Sequence, residues 1–168
     1  MNHYFNQIPD VPTDINSTNC IARLIDGLGF RYYWSTTDLT EQDYMFSPSN
    51  GSMTIEELNL HIYDLAFITH KTFGLTSDNK KESFDGFKSV REEILSLYEA
   101  TSKHLKTLDN DDILNTYSVS PKSLNGDFPF WFVINGHLAD CLTHIGQLVS
   151  WRRLSGNPQP KINVFLGR

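Results

Sequence analysis

Four side chains able to bind a metal or move a proton, His137, Asp140, Cys141 and His144, crowd into one stretch near the end of the chain. On a helix turning about 100° per residue, with His137 at zero, Cys141 lies near +40°, His144 near -20° and Asp140 near -60°. Leu148 and Trp151 continue that face, so the four polar groups share a stripe that otherwise reads as core. A second cluster centres on His61: relative to it, Glu57 lies near -40°, Asp64 near -60°, Leu65 near +40° and Ile68 near -20°. Imidazole and carboxylate ligands converging from two helices suit Zn, Ni, Fe or Mn, because neutral nitrogen and anionic oxygen match borderline divalent cations.

Each residue also has a plainer reading. Buried single histidines are common as hydrogen-bonded core residues, and a buried cysteine such as Cys141 serves equally as a small apolar filler. Glu57 stands where a helix-capping glutamate belongs. Asp64 suits the role of holding an imidazole tautomer through its free N–H. His70 falls on the opposite side of its segment and is expected in solvent. His104 sits near Lys103 and Lys106, and His3 in a polar lead-in, so neither is expected to have a site role.

The elements that must carry these residues read as helices. After Pro9 and Pro12, Thr13 or Asp14 can cap a segment running to about Thr37, with Ile21, Leu24, Ile25, Leu28 and Tyr32 at helical spacing. Residues 38–53 hold Pro48, Ser49, Asn50 and Gly51 and read as a connection. Thr54-Ile55-Glu56-Glu57 is a capping box, with Met53 and Leu58 placed as a hydrophobic staple, and Gly74 can stop that helix. A polar connection over Thr76 to Glu82 follows. The longest apolar stripe is Phe87, Val90, Ile94, Leu97, Tyr98, Thr101, Leu105 and Leu108. Residues 109–128 are polar and mixed and read as a loop, with a short hairpin as the alternative. Asp127 and Pro129 then suit the N-cap and first turn of a last helix, which Ser155-Gly156-Asn157-Pro158 should end. The aromatic run Phe128 to Phe132 reads as core or dimer surface. The tail Ile162 to Leu166 is apolar enough to pack on the helices. The expectation is an all-α four-helix bundle with a short loop or hairpin before the last helix, in one domain over residues 1–168.

Composition narrows the function. A chain of 168 residues with 21 aromatics, 11 Phe, 7 Tyr and 3 Trp, can bury one ordinary core. Lys and Arg total 14 against 20 acids, a net charge of -6 with no basic aromatic patch, which argues against a nucleic-acid partner. No uninterrupted apolar run approaches the roughly 18 residues of a membrane span. The first seven residues lack a signal's basic and apolar regions, so cytoplasm is the expected compartment. Cys20 and Cys141 form no disulfide framework or zinc-finger spacing. Phosphate loops, GxSxG, HExxH and EF-hand motifs are not found in the sequence.

The stretch His137-Leu138-Ala139-Asp140-Cys141-Leu142-Thr143-His144-Ile145-Gly146-Gln147-Leu148, followed by Trp151 to Pro158, resembles the DinB/YfiT-like superfamily of metal-dependent enzymes. His144-Ile145-Gly146-Gln147 stands in place of that family's His-Arg-Gly-Gln signature. Ile55 to Leu65 looks like the helix that supplies its first metal-binding His, and Gly29-Phe30-Arg31-Tyr32-Tyr33-Trp34 matches its opening helix. The resemblance implies a divalent metal, Zn or Ni foremost with Fe or Mn as alternatives, held by three histidines and open to water. His61 and His144 match. The remaining family position falls at Asp140, which leaves three arrangements: an Asp ligand, His137 as substitute, or a lost site. The i, i+4 spacing of Asp140 and His144 admits the first. The resemblance further implies a small-molecule substrate or thiol, a hydrolase or thiol-dependent S-transferase reaction, and a homodimer. A non-catalytic bundle with a structural or degraded metal site is the alternative.

Overall fold

Cap chemistry decides where the helices begin. The computed structural model describes residues 3–77, 83–120 and 125–168. Helix α1 spans Ser17–Thr36, and its cap is Asn16, whose side chain accepts from the Asn19 N–H at 2.8 Å, rather than Thr13 or Asp14. The connection after it contains a four-residue helix, α2 (Glu41–Tyr44), too short for an apolar period to mark it in the sequence. It is closed by Asp43 Oδ2, which accepts from the Thr40 N–H at 2.9 Å and the Thr40 hydroxyl at 2.8 Å.

Helix α3 (Ile55–Thr72) starts at the capping box read from the sequence, with Glu57 accepting from the Thr54 N–H at 2.7 Å and Thr54 accepting from the Glu57 N–H at 3.1 Å. Gly74 follows at φ +74°, a conformation that ends a helix most cheaply without a Cβ. Helix α4 (Gly86–Leu105) buries Phe87, Val90, Ile94, Leu97, Tyr98 and Thr101 along one stripe. The Thr76 to Glu82 connection lies partly outside the described residues.

A 3-10 turn over Asp111–Thr116 leads to a two-stranded antiparallel hairpin, β1 (Ser118–Val119) and β2 (Phe128–Pro129), with Ser118 opposite Pro129 and Val119 opposite Phe128. Asp127 and Pro129 therefore do not start the last helix. The Asp127 carboxylate accepts from the Ser120 hydroxyl, and Pro129 is a strand residue. A wide π turn over Val133–Leu138 runs without interruption into α5 (Ala139–Leu154), which ends before Gly156 at φ +89°.

The long helices pack as a ring in the order α1, α4, α3, α5, each against two neighbours, giving an all-α fold. Polar side chains from all four are buried between them: Tyr32, Asn59, Tyr98 and Cys141 are each about 1% exposed or less. The Tyr32 hydroxyl donates to Asn59 Oδ1, and the Tyr98 hydroxyl donates to Cys141 Sγ at 3.1 Å. Such pairs resist axial slippage, since a shifted helix leaves a buried donor unpaired. Gly29 lets the N-terminal turn dock on α1, because a Cβ there would sit 2.5 Å from the Phe5 ring.

The C-terminal tail departs from its expected packing. Ile162 and Val164 are half-buried, but Phe165 is 95% exposed. Asn163 Oδ1 accepts from both the Phe165 and Leu166 N–H groups, folding the tail into a tight turn that points these side chains outward. Among the described residues, no helix is long and apolar enough to cross a membrane. Both cysteines are free thiols, Cys20 exposed and Cys141 buried.

One buried cation joins the ends of three elements. Arg152, 1% exposed, donates to the carbonyls of Trp34 at 3.0 Å, Ser35 at 3.1 Å and Asn157 at 2.7 Å. Asn157 in turn donates to Asp43 Oδ2 at 2.8 Å, and the Ser155 hydroxyl to Asp43 Oδ1 at 2.9 Å. Replacing Arg152 by Met should cost about 3–5 kcal/mol in urea unfolding, because several carbonyls lose their donor at once. A loss below about 1 kcal/mol would contradict this role.

Burial works to raise the Asp43 pKa, yet the hydrogen bonds from Thr40, Asn157 and Ser155 outweigh it and hold the carboxyl below its ordinary value. A folded value below the unfolded one means that this stabilisation is complete above the ordinary carboxylate pKa. It is lost as pH falls through the folded value. Asp43→Asn should therefore flatten the acid side of a stability-against-pH curve, and an unchanged acid side would contradict the assignment.

Candidate metal centre

Helix α3 and helix α5 are neighbours in the ring, and their facing surfaces bring three donors together. His61, Asp140 and His144 each present a ligand atom, all within 4.8 Å of one another. His61 Nε2 lies 3.6 Å from Asp140 Oδ2, and His144 Nε2 lies 3.4 Å from Asp140 Oδ1. The two imidazole rings meet edge to face, with centroids 4.6 Å apart. His144 is the most enclosed, 16% exposed against 35% for His61 and 45% for Asp140, so the cluster has a protein-facing floor and a solvent-facing side.

Local sequence explains this placement. Asp140 and His144 are one turn apart on α5, so their side chains rise from the same face. His61 is set by the start of α3: the capping box fixes where the helix begins, and the buried Leu58, Ile62 and Leu65 fix which face turns inward. Beside His61 that inner face gives way to the rim, where an imidazole is half in solvent.

The other sequence candidates lie elsewhere. Glu57 is exposed, and its carboxylate closes the capping box of α3. Asp64 is half-buried on α3 and outside the three-donor group. Cys141 points into the core, where burial pushes its thiol pKa up to about 12 despite the Tyr98 hydrogen bond, and a thiolate ligand is disfavoured. His137 is 6% exposed, packs edge-on to Phe132 and also lies outside the group. It sits in the π turn, across which the 3.6-residue period does not hold, so its projected alignment with His144 fails. Its Nδ1 is buried with no partner among the described residues, and burial lowers its pKa although Asp140 acts to raise it.

His70 is not solvated. It is 4% exposed, with Nδ1 2.9 Å from the Thr101 hydroxyl, and burial lowers its pKa. The α3 surface that meets α4 is wider than the stripe inferred from apolar residues alone, and His70 lies on it. Of the aromatic run, Phe130 is in the core against Phe73, while Trp131 is 74% exposed. Sequence reasoning assigned no individual role to Gln147, whose Oε1 lies 2.7 Å from His144 Nδ1. The signal was present, since a residue three positions after His144 on a helix shares its face.

The donor set fits a divalent metal. It offers two imidazoles and one carboxylate from two helices, the nitrogen and oxygen donors that borderline divalent cations take, gathered around a common point.

No family model matches the sequence, and no curated protein matches it. Among solved structures, the chain is similar to the crystal structure of a DinB-like protein, YjoA, from Bacillus subtilis, with a TM-score of 0.51 and 16% sequence identity. The match covers 91% of this chain and 94% of that one, so it is not confined to one helix pair. The fold expected from the resemblance is thus the fold observed: this chain has the all-α architecture of DinB-like proteins.

Proposed function

We propose that this protein is a metal-dependent enzyme in which His61, Asp140 and His144 hold one divalent ion between α3 and α5. The observation that carries the reading is the convergence of these three donors within 4.8 Å from two separate helices. The DinB-like fold agrees with it. The divalent ion, when bound, supplies Lewis acidity that lowers the pKa of a coordinated water or thiol.

The chain's own residues divide the remaining work. Asp140 brings the single negative charge of the set, which favours a hard or borderline cation, and its oxygens face both imidazoles. His144, the most enclosed of the three, excludes water from the inner side. The exposure of His61 and Asp140 leaves the outer side open to a small substrate. A structural zinc site closes with four protein ligands, whereas the cluster here has three among the described residues. That count favours a site with room for water or a thiol, and hence hydrolysis or thiol-dependent S-transfer as the reaction class.

Cobalt-substituted protein should show a visible absorption spectrum that shifts when azide or a small thiol is added. A spectrum indifferent to both would contradict an open site. In the same assay His61→Ala should lose most cobalt binding, while Cys141→Ala should bind cobalt like the parent. Equal binding by all three proteins would remove the ligand assignment.

A further inference from the structure

We infer that Gln147 is a positioning residue that keeps His144 in the tautomer able to bind metal. The inference rests on the reading of His61, Asp140 and His144 as ligands, and it concerns what holds that set ready when no ion is bound.

A neutral imidazole carries one N–H, and which nitrogen bears it depends on the partners available to each. At Nδ1 the partner is Gln147 Oε1, 2.7 Å away, an amide oxygen that only accepts. Nδ1 must therefore donate, which leaves the Nε2 lone pair facing the cluster. At Nε2 the neighbour is Asp140 Oδ1, 3.4 Å away, also an acceptor. Without Gln147 the ring would gain most by moving its proton to Nε2 and donating to that carboxylate. The result would be a His144 to Asp140 hydrogen bond that occupies one ligand lone pair and one carboxylate oxygen together. Gln147 opposes this closed arrangement by rewarding the other tautomer. It reaches His144 from the next turn of the same helix, so a single rigid element holds both ligands of α5 and the residue that orients one of them.

The role is separable from folding. Gln147 is only half-buried and its side chain hydrogen-bonds His144, so a variant of similar length tests that bond at a partly exposed position. Gln147→Met removes the acceptor at similar length, whereas Gln147→Glu retains an acceptor oxygen.

The test is a long-range proton–nitrogen NMR spectrum of the His144 imidazole in metal-free protein at pH 9, for the parent and both variants. Zinc affinity is measured alongside by chelator competition. The expected result is a proton on Nδ1 in the parent and in Gln147→Glu, and a shift toward Nε2 in Gln147→Met. Zinc affinity should fall about ten- to a hundredfold in Gln147→Met and recover in Gln147→Glu. A parent imidazole protonated at Nε2, or a Gln147→Met spectrum and zinc affinity like those of the parent, would overturn the inference. Absence of zinc binding in the parent would instead count against the ligand reading, while the NMR spectrum still decides the role of Gln147.

Discussion

The position of α5 along the bundle depends on the Arg152 guanidinium. The last carbonyls of α1 have no partner within their own helix. Arg152 supplies donors to two of them, Trp34 and Ser35, from inside the protein. Moving α5 by even part of a turn would strip those carbonyls of their donor and leave a buried charge unpaired, at a cost of several kcal/mol. His144 lies eight residues earlier on the same rigid rod, about 12 Å away at 1.5 Å per residue. The clasp at one end of α5 thus sets the height at which Asp140 and His144 meet His61.

Two further constraints keep the facing helices in register. The capping box of Thr54 and Glu57 fixes the first turn of α3, and the buried pairs Tyr32 with Asn59 and Tyr98 with Cys141 resist sliding in the centre. Polar groups in a dry core are costly when unpaired, so they select one axial arrangement where apolar side chains would tolerate several. Asn59 is two residues from His61, and Cys141 is next to Asp140. The residues that define register therefore underlie the residues that form the cluster.

The local parts of this design were legible in the sequence. The start of α3, the stripe of α4 and the Gly156 stop are written in side chains within a few positions of one another, and periodicity or cap chemistry reads them directly. The pairing of Asp140 with His144 was legible for the same reason. His61 could be set on an inward face, but only the fold shows that this face meets α5. The misreadings have physical causes. The π turn breaks the period used to align His137, the hairpin takes up Asp127 and Pro129, and His70 is buried by a helix contact that its own segment does not encode. Arg152 looks like an ordinary surface cation until the carbonyls it reaches, more than a hundred residues earlier, are seen beside it.

The claim on which this account turns is that the three converging donors hold one ion. Elemental analysis of protein purified without a histidine tag or chelator, before and after reconstitution with divalent metal, tests it most directly. Close to one equivalent of Zn, Ni, Fe or Mn per chain is expected, at least after reconstitution. Metal content that stays well below one equivalent after reconstitution would contradict it, and would mark the cluster as a pair of histidines hydrogen-bonded to an aspartate on an otherwise metal-free bundle.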